Sequence, residues 1–263
     1  MATTTRDIAV VTGAASGIGL ATTEVLAARG IDVIAIDRDE ERLAALENRG
    51  RIHPLHGDVS TNATWNHVVD RARTDLGGVP NMYVANAATV IVGSTLELSD
   101  DDWHTLFETN LMGTVRGARA LLPGMIAAGK GAVVAVGSID GFMAEQGLAA
   151  YCASKGAIQQ FSRVLAVDHA RQGIRVNCVC PGVTDTPLFR YHLSKADEPE
   201  AVLAARTDRN PLGRLLDPED IARTVAFLLS DEAAGITGAV VPVDAGLSTS
   251  FEFRSGDEWG EMA

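Results

Sequence analysis

The sequence predicts an α/β protein in which one parallel sheet carries helices on both faces. Three observations carry the prediction. Short apolar runs of strand length alternate with helical patterns along nearly the whole chain, the order that a parallel sheet with crossover helices requires. Those runs are continuously apolar instead of alternating, as expected of strands buried on both faces. The first run ends in a glycine-rich turn that opens into a helical pattern, Thr12-Gly13-Ala14-Ala15-Ser16-Gly17-Ile18-Gly19.

The predicted strands cover residues 8–11, 33–36, 82–85, 132–136, 175–179 and 239–243, and a weaker one at 52–56 makes about seven. Helical patterns fall between them at 18–28, 39–48, 65–76, 101–128, 151–171 and 218–229. Asp100, Asp101 and Asp102 sit where they cap the start of one of these helices. One segment breaks the rhythm. Residues 185–216 hold no strand pattern, and Pro187, Pro199 and Pro211 punctuate weak helical pieces. An excursion of that length in a compact domain reads as a binding loop, with a disordered connector as the alternative. The acidic stretch 251–263 reads as an irregular tail that frays or reaches across an oligomer interface.

A chain of 263 residues, 46% hydrophobic and 21% charged, fits a single domain spanning 1–263. The net charge of −12 repels nucleic acid and anionic membranes, so neither is expected as a partner. The polar start, Met1 to Arg6, is no secretion signal, and no apolar stretch reaches membrane-spanning length. Cys152, Cys178 and Cys180 are odd in number and lack zinc spacing. They read as buried thiols in a reducing, cytoplasmic compartment. His53 and His56 are the closest histidine pair, and nothing beside them completes a metal site.

The glycines after the first strand let the backbone turn sharply and approach a pyrophosphate, while the helix start offers N–H donors and a positive dipole end. The spacing is G-x-x-x-G-x-G. The second strand runs into Asp37, followed by Arg38. A carboxylate there accepts hydrogen bonds from the adenosine ribose hydroxyls and repels a 2′-phosphate, which favours NAD over NADP. Arg38 offsets part of that repulsion. The plainer alternative makes Asp37 the N-cap of the following helix. Asp58 and Asn86 follow the third and fourth strands, at the end of the sheet where such folds bind ligands.

Tyr151-Cys152-Ala153-Ser154-Lys155 places a tyrosine and a lysine one helical turn apart on one face. An unperturbed tyrosine, with a pKa of about 10, is too weak a base near neutrality. A neighbouring ammonium stabilises the phenolate and is expected to pull that value down. The pair then serves as base when an alcohol is oxidised and as acid when a ketone is reduced. Ser138, after the strand at 132–136, is placed to hold the substrate oxygen.

Together the 12–19 turn, Asn86-Ala87-Ala88, Asn110, Ser138, Tyr151 with Lys155, and Pro181-Gly182 resemble the short-chain dehydrogenase/reductase family in its single-domain form, over residues 8–246. The resemblance implies a Rossmann-like doubly wound sheet. It implies Tyr151 as acid/base, Ser138 orienting the substrate, and Lys155 both tuning the tyrosine and holding the nicotinamide ribose. It further implies that Asn110 anchors a proton-relay water. Gly13, Ser16, Gly17, Ile18 and Gly19 would cradle the pyrophosphate; Asp58 and Val59 would face the adenine. Pro181, Gly182, Val183, Thr184 and Thr186 would surround the nicotinamide. Members commonly form homotetramers or homodimers. Two departures stand out: Ala88 and Ala245 occupy positions where the family often has glycine.

These readings converge on an NAD-dependent oxidoreductase of a secondary alcohol or ketone. A 3-oxoacyl thioester reductase shares the motifs but mostly uses NADP, against Asp37. A non-catalytic NAD-binding protein would be expected to lack the serine, tyrosine or lysine. Substrate identity falls to residues 185–216 and to Ile139, Phe142, Met143 and Gln146, whose apolar character suggests a hydrophobic substrate. Arg190, His192 and Lys195 leave room for an anionic one.

Overall fold

A computed structural model describes residues 7–250. The polar start and the stretch from Phe251 lie outside the described residues. Seven strands form one parallel sheet: β1 (Ile8–Thr12), β2 (Asp32–Asp37), β3 (Ile52–His56), β4 (Met82–Ala85), β5 (Gly131–Val136), β6 (Ile174–Pro181) and β7 (Val240–Val243). Their order is β3-β2-β1-β4-β5-β6-β7. The chain therefore winds outward from β1 in one direction and then from β4 in the other. The change of direction leaves a crevice at the carboxyl ends of β1 and β4, where open sheets of this class bind ligands.

Strand alternation divides the core in two. Ile8, Val10, Ile34, Ile36 and Tyr83 face one layer, with Trp65, Met125 and Ile158 packed on them. Ala9, Val11, Val33, Ala35 and Val84 face the other, against Leu26, Ile221 and Val225. Each large aliphatic side chain buried this way contributes about 1.5–3 kcal/mol before the entropy of ordering it is subtracted. Pro54, which has no N–H to donate, sits on the edge strand β3, where none is needed.

The helices are α1 (Gly17–Ala28), α2 (Glu40–Ala44), α3 (Asn62–Thr74), α4 (Asp100–Phe107), α5 (Gly113–Ala128), α6 (Ala149–His169), α7 (Pro187–Leu193), α8 (Pro199–Asp208) and α9 (Pro218–Leu229). Two expectations change. The helix expected over 39–48 is cut to α2, because the chain turns after it and Asn48 takes the left-handed conformation with φ 59°. The long helix expected over 101–128 is α4 and α5 joined by a π-helical turn at Glu108–Met112. The start of α4 is capped by Ser99, not by the aspartates alone: Ser99 and Asp102 bond reciprocally to each other's backbone N–H, and Asp100 and Asp101 lie in the first turn.

Residues 185–216 hold α7 and α8, and the two ends of the excursion are clipped together. The Asp185 N–H donates to the Leu216 carbonyl at 2.9 Å and the Leu216 N–H to that of Val183 at 3.0 Å. Ala245, one of the two departures, takes φ 58°, a left-handed conformation that costs a non-glycine residue about 1–2 kcal/mol. Among the described residues no helix is long and apolar enough to cross a membrane.

Candidate active site

At the crevice, β1 and β4 are stitched together by polar side chains. Thr12 Oγ1 accepts the N–H groups of Asn86 and Ala87, each at 3.0 Å. The Asn86 amide donates back to the Thr12 carbonyl at 2.9 Å. The glycine turn lies against this seam. A Cβ on Gly13, which takes φ 63°, would meet the Asn86 amide at 2.9 Å and the Ala87 backbone at 3.0 Å. Gly19 is more constrained: a Cβ there would sit 1.9 Å from the Gly13 carbonyl oxygen. Glycine at 19 thus brings α1 down onto β1, and the residue lies behind the cavity wall. Ser16 is the N-cap of α1 and spends no side-chain hydrogen bond on capping.

These turns enclose a cavity of about 280 Å³. Of the expected cofactor residues, Gly13, Ser16, Gly17, Ile18, Asp37, Arg38, Asp58, Val59, Asn86, Ala87 and Ala88 line it. Asp37 is not the N-cap of α2; Asp39 is, accepting the Arg42 N–H. Asp37 Oδ2 accepts the Ala15 N–H at 3.0 Å and Oδ1 the Asp39 N–H at 3.1 Å. Each oxygen keeps a lone pair for a ribose hydroxyl. Desolvation would raise the Asp58 carboxyl, but hydrogen bonds from Ser60 and the charges of Arg38 and Arg116 outweigh it and hold the group below its ordinary value. A glycine-rich turn at a helix start, with Asp37 and Asp58 at the other side of the cavity, fits an adenine dinucleotide. Arg42, Gly57 and Thr109 also line the cavity and carried no motif in the sequence.

A second cavity, of about 150 Å³, adjoins the first. Ile18, Asn86, Ala88, Thr186 and Leu188 line both. Ser138, Tyr151 and Lys155 line the second, together with Pro181, Gly182, Val183 and Thr184. Gly182 must lack a side chain, since a Cβ would meet Asp244 at 2.7 Å. Tyr151 and Lys155 share one face of α6, and the Lys155 ammonium lies 5.6 Å from the tyrosine ring centre. Its Nζ donates to the Val136 carbonyl at 2.9 Å. Burial lowers the Lys155 pKa to about 8, against the pull of Cys178, Cys180 and Asp140.

The expected depression of the tyrosine is not what this cleft produces. Burial pushes the Tyr151 hydroxyl above its ordinary value, and the Asp140 carboxylate adds to the shift, while the Ser138 hydrogen bond opposes it. Both carboxyls of the 138–145 turn face the tyrosine and disfavour its phenolate.

Asn110 does not face either cavity. It sits buried on the π turn, accepting the Thr89 N–H at 2.8 Å and donating to the Thr89 carbonyl at 3.1 Å. Its amide also donates to Ser154 Oγ, which donates in turn to the Tyr151 carbonyl at 2.8 Å. Asn110 thus braces α6 at the tyrosine. Gln159 does the same for Ser138, donating to its carbonyl at 2.8 Å. Sequence reasoning passed over Gln159, although it stands four residues after Lys155 on the same helical face.

The substrate end is largely apolar, as expected, but much of the lining comes from side chains other than those foreseen, among them Val90, Leu148, Leu188 and Phe189. Ile139 and His192 line the second cavity, but Phe142 and Met143 are exposed outside it. Arg190 pairs with Asp185, and Lys195 lies over the Tyr191 ring. Charged groups also reach the cavity. Arg206 from α8 pairs with Glu145, His192 approaches the same carboxylate at 3.8 Å, and Asp140 lies beside Ser138. Among the described residues no group of three or more acidic, histidine or cysteine side chains is arranged to hold a metal.

A family model described as Enoyl-(Acyl carrier protein) reductase matches residues 13–248. The chain is 38% identical to 2-(S)-hydroxypropyl-CoM dehydrogenase 3 of Xanthobacter autotrophicus, over 92% of this chain and 97% of that one. It is 33% identical to meso-2,3-butanediol dehydrogenase of Serratia marcescens, over 93% and 96%. A crystal structure of a short-chain dehydrogenase/reductase family oxidoreductase from Burkholderia thailandensis superposes with a TM-score of 0.85 at 33% identity, over 94% of each chain. Fold, site geometry and relatives agree: the chain belongs to the short-chain dehydrogenase/reductase family, oxidoreductases that act on CH–OH groups with a nicotinamide cofactor.

Proposed function

We propose that this protein oxidises secondary alcohols, and reduces the corresponding ketones, with NAD as its cofactor and Tyr151 as the acid/base. One observation carries the reading: Ser138, Tyr151 and Lys155 form one wall of a small cavity that opens onto the dinucleotide cradle. Both reported relatives are named for dehydrogenation of a secondary alcohol. NAD is supported by Asp37, whose remaining lone pairs face the cradle where a 2′-phosphate would be repelled.

When bound, the nicotinamide ring supplies the site that accepts or donates the hydride. The chain's own groups handle the proton and the geometry. Ser138 donates to the substrate oxygen, and Tyr151 takes the alcohol proton or returns it. The buried Lys155 ammonium stabilises the phenolate at the moment it forms, when its charge matters most. Asn110 and Gln159 hold the tyrosine and serine backbones in place. Residues 185–216 cover the substrate cavity through Leu188, Phe189, His192 and Arg206, as a lid within a single domain of 1–263. Assembly as a homodimer or homotetramer in the cytoplasm belongs to the same reading; α6 carries exposed Val164 and Val167 on its outer face.

The test is cofactor reduction with purified protein, NAD⁺ or NADP⁺, and a panel of secondary alcohols. NADH formation is expected, with Tyr151→Phe slowed about a hundredfold to ten-thousandfold. NADPH formation in its place would overturn the cofactor assignment; an unimpaired Tyr151→Phe would overturn the acid/base.

A further inference from the structure

Asp140 is the one carboxyl of the substrate cavity without a cationic partner among the described residues. Glu145 is held by Arg206. Asp140 Oδ2 accepts the Ser138 hydroxyl at 3.0 Å, its own N–H donates back to Ser138 Oγ at 3.1 Å, and Oδ1 accepts no hydrogen bond from a described residue. Asp140 and Ser138 both line the cavity. The hydroxyl expected to hold the substrate is therefore already donating, to a carboxylate.

That arrangement has a consequence for the substrate. Ser138 has one proton. If it turns toward the reacting oxygen, Asp140 loses its only side-chain donor while partly buried. A buried carboxylate left without a donor is costly. A substrate with a second hydroxyl on the neighbouring carbon removes the conflict. Adjacent oxygens in a gauche diol lie about a hydrogen-bond length apart, similar to the separation of Ser138 Oγ and Asp140 Oδ2. One oxygen then accepts from Ser138, and the other donates to Asp140.

Resting on the secondary-alcohol reading above, we propose that Asp140 is a specificity-determining residue and that the preferred substrates are vicinal diols and the matching α-hydroxyketones. Glu145, Tyr151, Cys152, Lys155 and Arg206 face Asp140 from the turn, α6 and α8. Burial, and after it the repulsion from Glu145, pushes Asp140 up to about 6, so it is ionised at pH 8. A charged acceptor discriminates for an O–H donor more strongly than a neutral one.

The experiment compares kcat/KM for butane-2,3-diol and butan-2-ol with NAD⁺, in wild type, Asp140→Asn and Asp140→Leu. At pH 8 the wild type is expected to favour the diol at least tenfold, the preference falling toward unity in both variants chiefly through a higher KM for the diol. In wild type the diol/mono-alcohol ratio falls as pH drops through about 6; Tyr151 cancels from that ratio, and the measurement needs no variant. Oxidation of both alcohols with no diol preference, or a preference untouched in the variants, overturns the role of Asp140 and leaves the secondary-alcohol reading standing. Oxidation of neither overturns both.

Discussion

The two halves of the cleft are built in opposite ways. The dinucleotide half is made largely by backbone: Gly13 and Gly19 let the turn and α1 close on β1 and β4, Gly17 leaves room for Thr186, and Asn86 seals β1 to β4. Most of its residues come from short stretches at or after strand ends, joined by Arg42, Thr109 and the start of α7. The substrate half is made by side chains from segments far apart in the chain. Asp140 and Glu145 come from one turn, Tyr151 and Lys155 from α6, His192 and Arg206 from the helices of the excursion. A cradle for a shared cofactor is dictated by close approach and tolerates little change. A pocket for a particular substrate adds to its apolar wall a few charges whose burial the fold carries as a cost. Rigidity sits in the first half, and chemical choice in the second.

The sharpest way to break this contrast is Gly19→Ala. With the new Cβ placed 1.9 Å from the Gly13 carbonyl oxygen and 2.5 Å from the Asn86 amide, β1 and α1 must separate. A loss of about 3 kcal/mol in urea unfolding is expected, along with weakened NADH binding by fluorescence. A stability within 0.5 kcal/mol of wild type would mean the turn is far more compliant than its geometry implies.

Asp37→Ser tests the chemical end of the same half. Removing the carboxylate takes away both the repulsion of a 2′-phosphate and the tether on the Ala15 N–H. The NAD/NADP ratio of kcat/KM is expected to fall about tenfold, equal to about 1.4 kcal/mol. An unchanged ratio would place cofactor choice with Arg38 and Arg42 instead.

An effect on stability smaller than that at Gly19, and opposite in sign, is expected in the substrate half. The Asp140 pKa of about 6 lies above its ordinary 3.8, chiefly through burial and then the Glu145 charge. Between those values the folded protein binds more protons than the unfolded chain, so stability falls as pH rises through that window. Above about pH 6 the penalty is fully present. Asp140→Asn removes it and is expected to stabilise the protein by about 1–2 kcal/mol at pH 7.5, allowing for partial solvent screening. The gain should disappear near pH 4, where wild-type Asp140 is largely protonated in the fold. A variant more stable by the same amount at both pH values would owe its gain to something other than this charge. Such stabilisation at the expense of selectivity is the usual trade at a binding site.

The uneven legibility of the two halves has a physical origin. The strands at 82–85 and 52–56 and the helix at 218–229 were readable to the residue, because apolar runs and proline or aspartate starts are local signals. The glycine turn, Asp37, and the Tyr151–Lys155 pair were readable for the same reason. Each depends on near neighbours in sequence, with period or spacing that backbone geometry enforces. The π turn at Glu108–Met112 was not, since nothing in its composition separates it from the helices on either side.

What the chain alone determined is a parallel sheet with a glycine-rich turn after β1 and a tyrosine–lysine pair on one face of a helix. What only the tertiary structure decided is the company those groups keep. Asn110 and Gln159 became braces because distant carbonyls and hydroxyls reached them. Phe142 and Met143 left the pocket, while Asp140, Glu145 and Arg206 lined it. Burial and charge at a site are sums over every element that packs there, and those sums exist only once the chain has folded.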